Sequence, residues 1–440
     1  MTQPRRTERQ PSPAAPGLGA WQLAWLAAAV FVVSAGYGAL MPLLPAWLAP
    51  LMTTDGQAEV ARHVGLLSGL YAAGVLVGAP LWGLVSDRWG RGRILVIGLI
   101  GYVASLLPLL WPGWVGLAGI YALRGATGFF VAAVVPVVPA LVAEYTPQGQ
   151  RARRFAWLGA MSLLGFLFGP GLNAGAAQVS ATLASIGGGA ADPTDLVIVM
   201  SAALGALMML GLAATLPRVP PVALEDGLQP AAADRRHAMA LWGLNGVVMF
   251  VLSGFELGIV LQGQQHPTLS PREISLMFAE CSLVMLGVNA LLFFTGLLER
   301  AAGRGVMAAG LVLAIAGLAM LAQHRSDAWM YVGVSFTAAG TGLVLPTISY
   351  LAAGASRRRL GATMGGLAAA AGFGQTLGSA AAGWLFGAVA QLSFAWLALP
   401  LLATLGTLIV RPAWWSTEGP PPRSPRVSSD PLPKRHPQEP

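Results

Sequence analysis

Apolar runs of more than about 18 residues recur along the whole of this 440-residue chain, each long enough to cross a hydrocarbon core of about 30 Å as a helix. Soluble domains carry roughly 25% charged residues. Here only 10% are charged and 55% are hydrophobic. A water-soluble fold is excluded, and an all-α membrane protein with several spans follows. The 56 glycines belong with that class, because small residues let membrane helices approach closely.

The net charge of +8 does not point to nucleic acid, since the basic residues form short clusters between apolar runs and no continuous face. Cys281 is the single cysteine, so no intramolecular disulfide forms. His63, His237, His266, His324 and His436 show no ligand spacing, and no metal or other cofactor is expected. Neither a phosphate loop nor a Gly-x-Ser-x-Gly elbow is present, and nothing in the chain argues for an enzyme.

Turn residues, prolines and charges divide the chain into two similar halves. Residues 1–20, rich in Pro, Arg and Gln, read as a disordered tail. Arg5-Arg6 raises the question of a twin-arginine signal, but the apolar stretch that follows is longer than a signal core and has no small-residue cleavage site, so the first helix is expected to be retained. Spans are predicted at 21–48, 62–85, 93–111, 114–142, 155–181 and 193–216, which gives a first six-helix bundle over 21–216. A polar linker over 217–237 contains Pro217, Pro220, Pro221, Glu225, Asp226 and Asp234. Spans at 238–262, 272–298, 305–323, 328–352, 360–386 and 390–410 give a second bundle over 238–411, and 412–440 is a second disordered tail.

Of the 26 Lys and Arg residues, 22 fall in the tails and in the loops after even-numbered spans, and three, Arg62, Arg272 and Arg325, fall in the opposite loops. By the positive-inside rule both termini are cytoplasmic. Arg124 is left over, inside the fourth span.

Three features recur at nearly equal offsets between the halves. Arg88 of Asp87-Arg88-Trp89-Gly90-Arg91 returns as Arg300 of Glu299-Arg300-Ala301-Ala302-Gly303-Arg304, Arg151-Ala152-Arg153-Arg154 as Arg357-Arg358-Arg359, and the pair Gly165 and Gly169 as Gly374 and Gly378. A six-helix unit repeated in parallel is the arrangement of transporters that rock two bundles about a central site.

On these residues the chain resembles the major facilitator superfamily over essentially its whole spanning region. The family's second-to-third helix loop, Gly-x-x-x-Asp-Arg-x-Gly-Arg-Arg/Lys, is met by Gly83, Asp87, Arg88, Gly90 and Arg91, with Gly92 at the last position and the base displaced to Arg93. Within the family it is similar to the bacterial drug/proton antiporters. Arg124-Gly125-Ala126-Thr127-Gly128 follows their fourth-helix signature, and Gly165, Gly169 and Pro170 follow the fifth-helix Gly-x-x-x-Gly-Pro-x-x-Gly-Gly. Asn173 and Ala174 replace the final glycine pair, and the first span holds none of the acids that some members carry there.

The resemblance implies two pseudo-symmetric six-helix bundles in the inner membrane of a bacterium, working by alternating access on a small molecule and on protons. Asp87 adds little to orientation and is free to meet an arginine or a helix N-terminus, so Gly83, Asp87, Arg88, Gly90 and Arg91 are read as a cytoplasmic gate, with Glu144 capping or bracing the same loop. An arginine within a span is costly and normally faces a cavity or an internal partner, which makes Arg124 a cavity candidate. Tyr37, Asn173, Asn245 and Asn289, with Trp242, are further candidates.

Glu256 and Glu280 are the acids well inside predicted spans, at similar depth in neighbouring antiparallel helices. A carboxyl withdrawn from water can load and release a proton near neutral pH, so both are proton-coupling candidates, and a close pair would titrate as a unit. Either can instead only hydrogen-bond a neighbouring helix. Gly165, Gly169 and Pro170 serve close packing or bending of the fifth helix.

Export of amphipathic organic compounds against protons is the leading expectation. Import of a small metabolite by symport or facilitated diffusion remains open, as does a non-transporting scaffold or receptor on the same fold. The sequence leaves the oligomeric state open, a monomer being the simplest case.

Overall fold

A computed structural model describes residues 18–51, 56–146, 148–185, 192–216, 232–263, 265–266, 269–295, 297, 303–323, 326–355 and 360–411. The outer parts of both tails, the segment 217–231, the second-half hairpin at 298–302 and the arginine run 357–359 lie outside the described residues. So do the connections that hold Arg325 and His324.

Among the described residues, twelve long helices follow one another: α1 (Ala20–Leu40), α2 (Gln57–Trp89), α3 (Arg91–Leu106), α4 (Pro112–Val131), α5 (Gln148–Ser185), α6 (Pro193–Thr215), α7 (Ala232–Gln262), α8 (Pro271–Thr295), α9 (Gly303–Leu321), α10 (Asp327–Ala355), α11 (Leu360–Val389) and α12 (Ser393–Val410). They make eleven continuous apolar stretches, because α11 and α12 run together over Gly366–Val410 through a single turn at Ala390–Leu392.

Two expectations about boundaries need correction. The fourth span was expected to run unbroken over 114–142. Instead α4 stops at Val131, and a short helix resumes at Val137–Glu144. Pro136 has no N–H for the preceding turn and disfavours helical backbone at Val135, so the ladder breaks there. The seventh helix starts at Ala232, inside the stretch expected to be linker, since polar residues extend a helix readily once it has left the lipid.

Close backbone approach holds the bundles together. A Cβ at Gly165 would collide with the Phe31 carbonyl, and one at Gly169 with Gly38, so α5 lies directly against α1. In the second half, a Cβ at Gly374 would collide with the Gly246 carbonyl and one at Gly378 with the Phe250 carbonyl, setting α11 against α7 in the same way. The recurrence of the glycine pair in the sequence therefore corresponds to a recurrence of contacts. Gly74 and Gly78 of α2 press likewise on α4.

The bundles meet along α2–α11 and α5–α8, two pairs that the half-chain repeat interchanges. Gly65 backs onto Gly383, Gly69 onto Thr376, Gly372 onto Leu76, and Gly387 onto Ala58. Phe166 of α5 meets Phe278 of α8 with ring centroids 5.5 Å apart, and Asn173 donates to Ser275 Oγ at 3.1 Å. These approaches concentrate from the middle of the helices toward the end that carries the α1–α2 and α11–α12 turns. That end is closed, opposite the end with the α2–α3 hairpin.

Gly374→Leu should lose folded yield or lower the unfolding temperature of detergent-purified protein, overpacking here costing at least about 1–3 kcal/mol. Gly159 of α5 has open space where its Cβ would go. Gly159→Ala should leave the temperature unchanged or raise it slightly, since alanine is favoured over glycine inside a helix by roughly 0.5–1 kcal/mol.

Candidate functional site

The small residues that follow Arg124 explain where its charge ends up. A Cβ at Gly128 would collide with the Tyr71 carbonyl, and one at Gly74 with the Gly125 carbonyl, so α2 and α4 touch backbone to backbone. That contact brings the Tyr71 ring under the guanidinium, with Cζ 4.9 Å from the ring centroid. Arg124 is only 3% exposed. The aromatic series then continues: Tyr71 to Tyr37 at 5.0 Å, Tyr37 to Phe166 at 5.9 Å, and Phe166 to Phe278 at 5.5 Å. It leads from a buried cation in the first bundle to α8 in the second.

Half-buried Glu256 of α7 lies within electrostatic reach of Tyr37, as does buried Arg124, so one tyrosine of the first helix has both an acid and a base as neighbours. Glu280 is placed differently. Its Oε1 accepts a hydrogen bond from Ser335 Oγ of α10 at 2.5 Å, inside the second bundle. Cys281 has both acids as electrostatic neighbours, but among the described residues no hydrogen bond joins Glu256 to Glu280.

Of the asparagines, Asn173 bridges the bundles, Asn245 donates to the Leu367 carbonyl of α11 at 2.8 Å, and Asn289 donates to its own helix at Met285. Trp242 packs where a Cβ at Gly366 would stand. Pro170 sits inside α5 beside the Gly169 contact.

At the opposite end, the α2–α3 turn rests on Gly90, whose φ of 91° and ψ of 132° suit glycine and strain any other residue. This turn places Arg91 one helical step from Asp87. Arg91 Nη2 lies 3.0 Å from Asp87 Oδ1, and its Nε lies 2.5 Å from Glu144 Oε1 at the end of the short helix after α4. One arginine thus ties three segments together. The groups are partly exposed, so each pair is worth at most about 1 kcal/mol. Gly83 has open space around it, and Arg88 is exposed.

Residues 26–263 match the sequence profile of the Major Facilitator Superfamily, more than half of the chain. The chain belongs to this superfamily. It is 36% identical over 150 residues to the class B tetracycline resistance protein of Escherichia coli, covering 33% of this chain and 35% of that protein. It is 28% identical over 151 residues to the quinolone resistance protein NorA of Staphylococcus aureus, covering 34% and 37%. The chain thus matches about a third of the length of these curated relatives.

Solved structures share the architecture more broadly. The human organic anion transporter MFSD10 (TETRAN) aligns over 88% of this chain and 99% of its own at TM-score 0.66 and 18% identity. The xylose transporter XylE of Escherichia coli aligns over 88% and 97% at TM-score 0.66 and 13% identity. Both establish the superfamily's helical fold for this chain.

Within that fold, sequence reasoning missed Tyr71, Tyr102, Phe166, Phe278, Ser275 and Ser335. A signal for the tyrosines was present: each lies well inside a span, whereas aromatic anchors gather at membrane interfaces. The serine partners gave none, since a serine that bonds across helices looks in sequence like one that bonds its own helix. Among the described residues, no group of three or more His, Cys, Asp or Glu gathers to hold a metal.

Tyr71→Phe should keep the stack beneath Arg124, whereas Tyr71→Leu should lose about 0.5–2 kcal/mol of stability. Comparing the unfolding temperatures of the two variants checks this. In the same assay Gly90→Ala should cost about 1–3 kcal/mol.

Proposed function

We propose that the protein is a secondary transporter that exports small amphipathic organic compounds in exchange for protons, with both termini in the cytoplasm of a bacterial cell. The observation that carries this reading is the half-buried acid Glu256 on the second bundle, an electrostatic neighbour of Tyr37 on the first, in a chain whose curated relatives include tetracycline and quinolone resistance proteins. A carboxyl at the boundary between two bundles feels a different environment whenever the bundles move. Rocking can therefore load it on one side and empty it on the other.

In this reading Glu256 takes the proton, and Tyr37 has both Glu256 and Arg124 as electrostatic neighbours. Glu280, held by Ser335, is the second acid. The distribution of arginines supports cytoplasmic termini, so the closed end faces outward and the structure is an inward-facing state. The Asp87–Arg91–Glu144 ties then hold the hairpin of the cytoplasmic gate in place on the first bundle, and Asn173–Ser275 fastens the outer gate. A single copy contains every element that this cycle needs.

Everted membrane vesicles given a labelled cationic dye from outside test the proposal. Wild type should accumulate dye on acidification of the lumen, and Glu256→Gln should fall to the level of empty vesicles while still folding. Glu280→Gln should reduce uptake less. The reading fails if both variants, singly and together, leave pH-driven uptake unchanged. Accumulation by intact cells instead would indicate import, and accumulation in neither system a scaffold.

A further inference from the structure

The Arg124 guanidinium lies over the Tyr71 ring with two of its own donors unanswered. Its Nε and Nη2 are buried with no hydrogen-bond partner, although the side chain is 3% exposed. Tyr102 Oη of α3 and Ser201 Oγ of α6 are also buried without partners, in residues 3% and 1% exposed. These two hydroxyls converge on Gly36 of α1, where a Cβ would strike Tyr102 Oη and lie 3.5 Å from Ser201 Oγ. Gly36, Tyr37, Tyr71, Tyr102, Arg124 and Thr127 line one narrow void there. Its free space accepts little more than a single water-sized sphere.

No acid of the same bundle answers this charge among the described residues. Asp87 and Glu144 are bound to Arg91, Asp192 caps α6 through the Thr194 N–H, Asp195 in the first turn of α6 has Asp192 as its charged neighbour, and Glu59 lies 3.7 Å from His63. The groups that interact electrostatically with Arg124 are Tyr71, Tyr37 and Tyr102, and Glu256 is not one of them. A buried cation with donors around it and no anion is unfavourable as it stands. What completes it is a compact, negatively charged acceptor.

We infer that the first bundle binds a monatomic halide, chloride in the cell, against Arg124, Tyr102 and Ser201, apart from the transported compound. The void is too small for an organic carboxylate. Its walls come from α1, α2, α3 and α4, with Ser201 of α6 approaching through Gly36, so occupancy does not require the two bundles to separate. The site also stands independently of the direction of transport.

Detergent-purified full-length protein is melted in increasing sodium bromide or chloride against sodium gluconate, with ionic strength and pH held constant. The expected result is a saturable rise in unfolding temperature with either halide and none with gluconate, whose anion does not fit. Tyr102→Phe keeps the ring and removes one donor, and should weaken the apparent halide affinity about tenfold, the loss typical of one hydrogen bond to a charged group. Ser201→Ala should shift it in the same direction, and Arg124→Gln should abolish the response. If Arg124→Gln does not fold, the two hydroxyl variants decide. Equal melting in halide and gluconate overturns the site, as does a halide response that Tyr102→Phe and Ser201→Ala leave unchanged. Failure of dye export leaves this result untouched, and the reverse also holds.

Discussion

Backbone contact between helices is the constraint on which the rest of this structure depends. In lipid, apolar side chains gain nothing by turning toward one another, so helices associate through close packing and hydrogen bonds across the contact. Here Gly165 and Gly169 bring α5 onto α1, Gly374 and Gly378 bring α11 onto α7, and Gly74, Gly78 and Gly128 bring α2 onto α4. Each contact decides what lies beside it. Without the α2–α4 approach, the Tyr71 ring would not reach the guanidinium of Arg124, and the arginine would be buried with no compensation at all.

The two halves share this packing but differ in charge. The first bundle encloses a base and has its described acids near the helix ends, whereas the second carries Glu256 and Glu280 within its helices. Tyr37 has both Arg124 and Glu256 as electrostatic neighbours, so a change in either is felt at this tyrosine. That asymmetry suits a proposed cycle in which one half titrates and the other supplies a fixed field. A symmetric pair of acids would put like charges face to face.

Much of this was legible in the sequence because it follows from composition and period. Apolar length gave the helices, the equal offsets gave the repeat, and the glycine pairs gave contacts that the structure contains. Asp87, Arg91 and Glu144 were legible as a group because charges are so rare in this chain. Pro136 was misread: a proline in an apolar run can kink a helix or end it, and only the neighbouring turn decides. The destination of Asn173 was also hidden. Nothing in its own helix distinguishes a residue that faces a cavity from one that reaches Ser275, 102 positions away, since that depends on how the bundles dock.

The fastening of the closed end bears on how such a molecule can move. Its described contacts are small residues in van der Waals contact along α2–α11, an aromatic pair, and one neutral hydrogen bond from Asn173 to Ser275. A neutral hydrogen bond adds roughly 0.5–1.5 kcal/mol. At the other end, the ties through Arg91 join segments of a single bundle and contribute at most about 1 kcal/mol each. Among the described residues, neither end is locked by a deeply buried ion pair, whose rupture would leave an uncompensated charge and cost about 3–5 kcal/mol. One charge moving through 100 mV is worth about 2.3 kcal/mol. The polar ties at the two ends are each no stronger than that, so the close helix packing along α2–α11 is what any opening of the closed end has to undo.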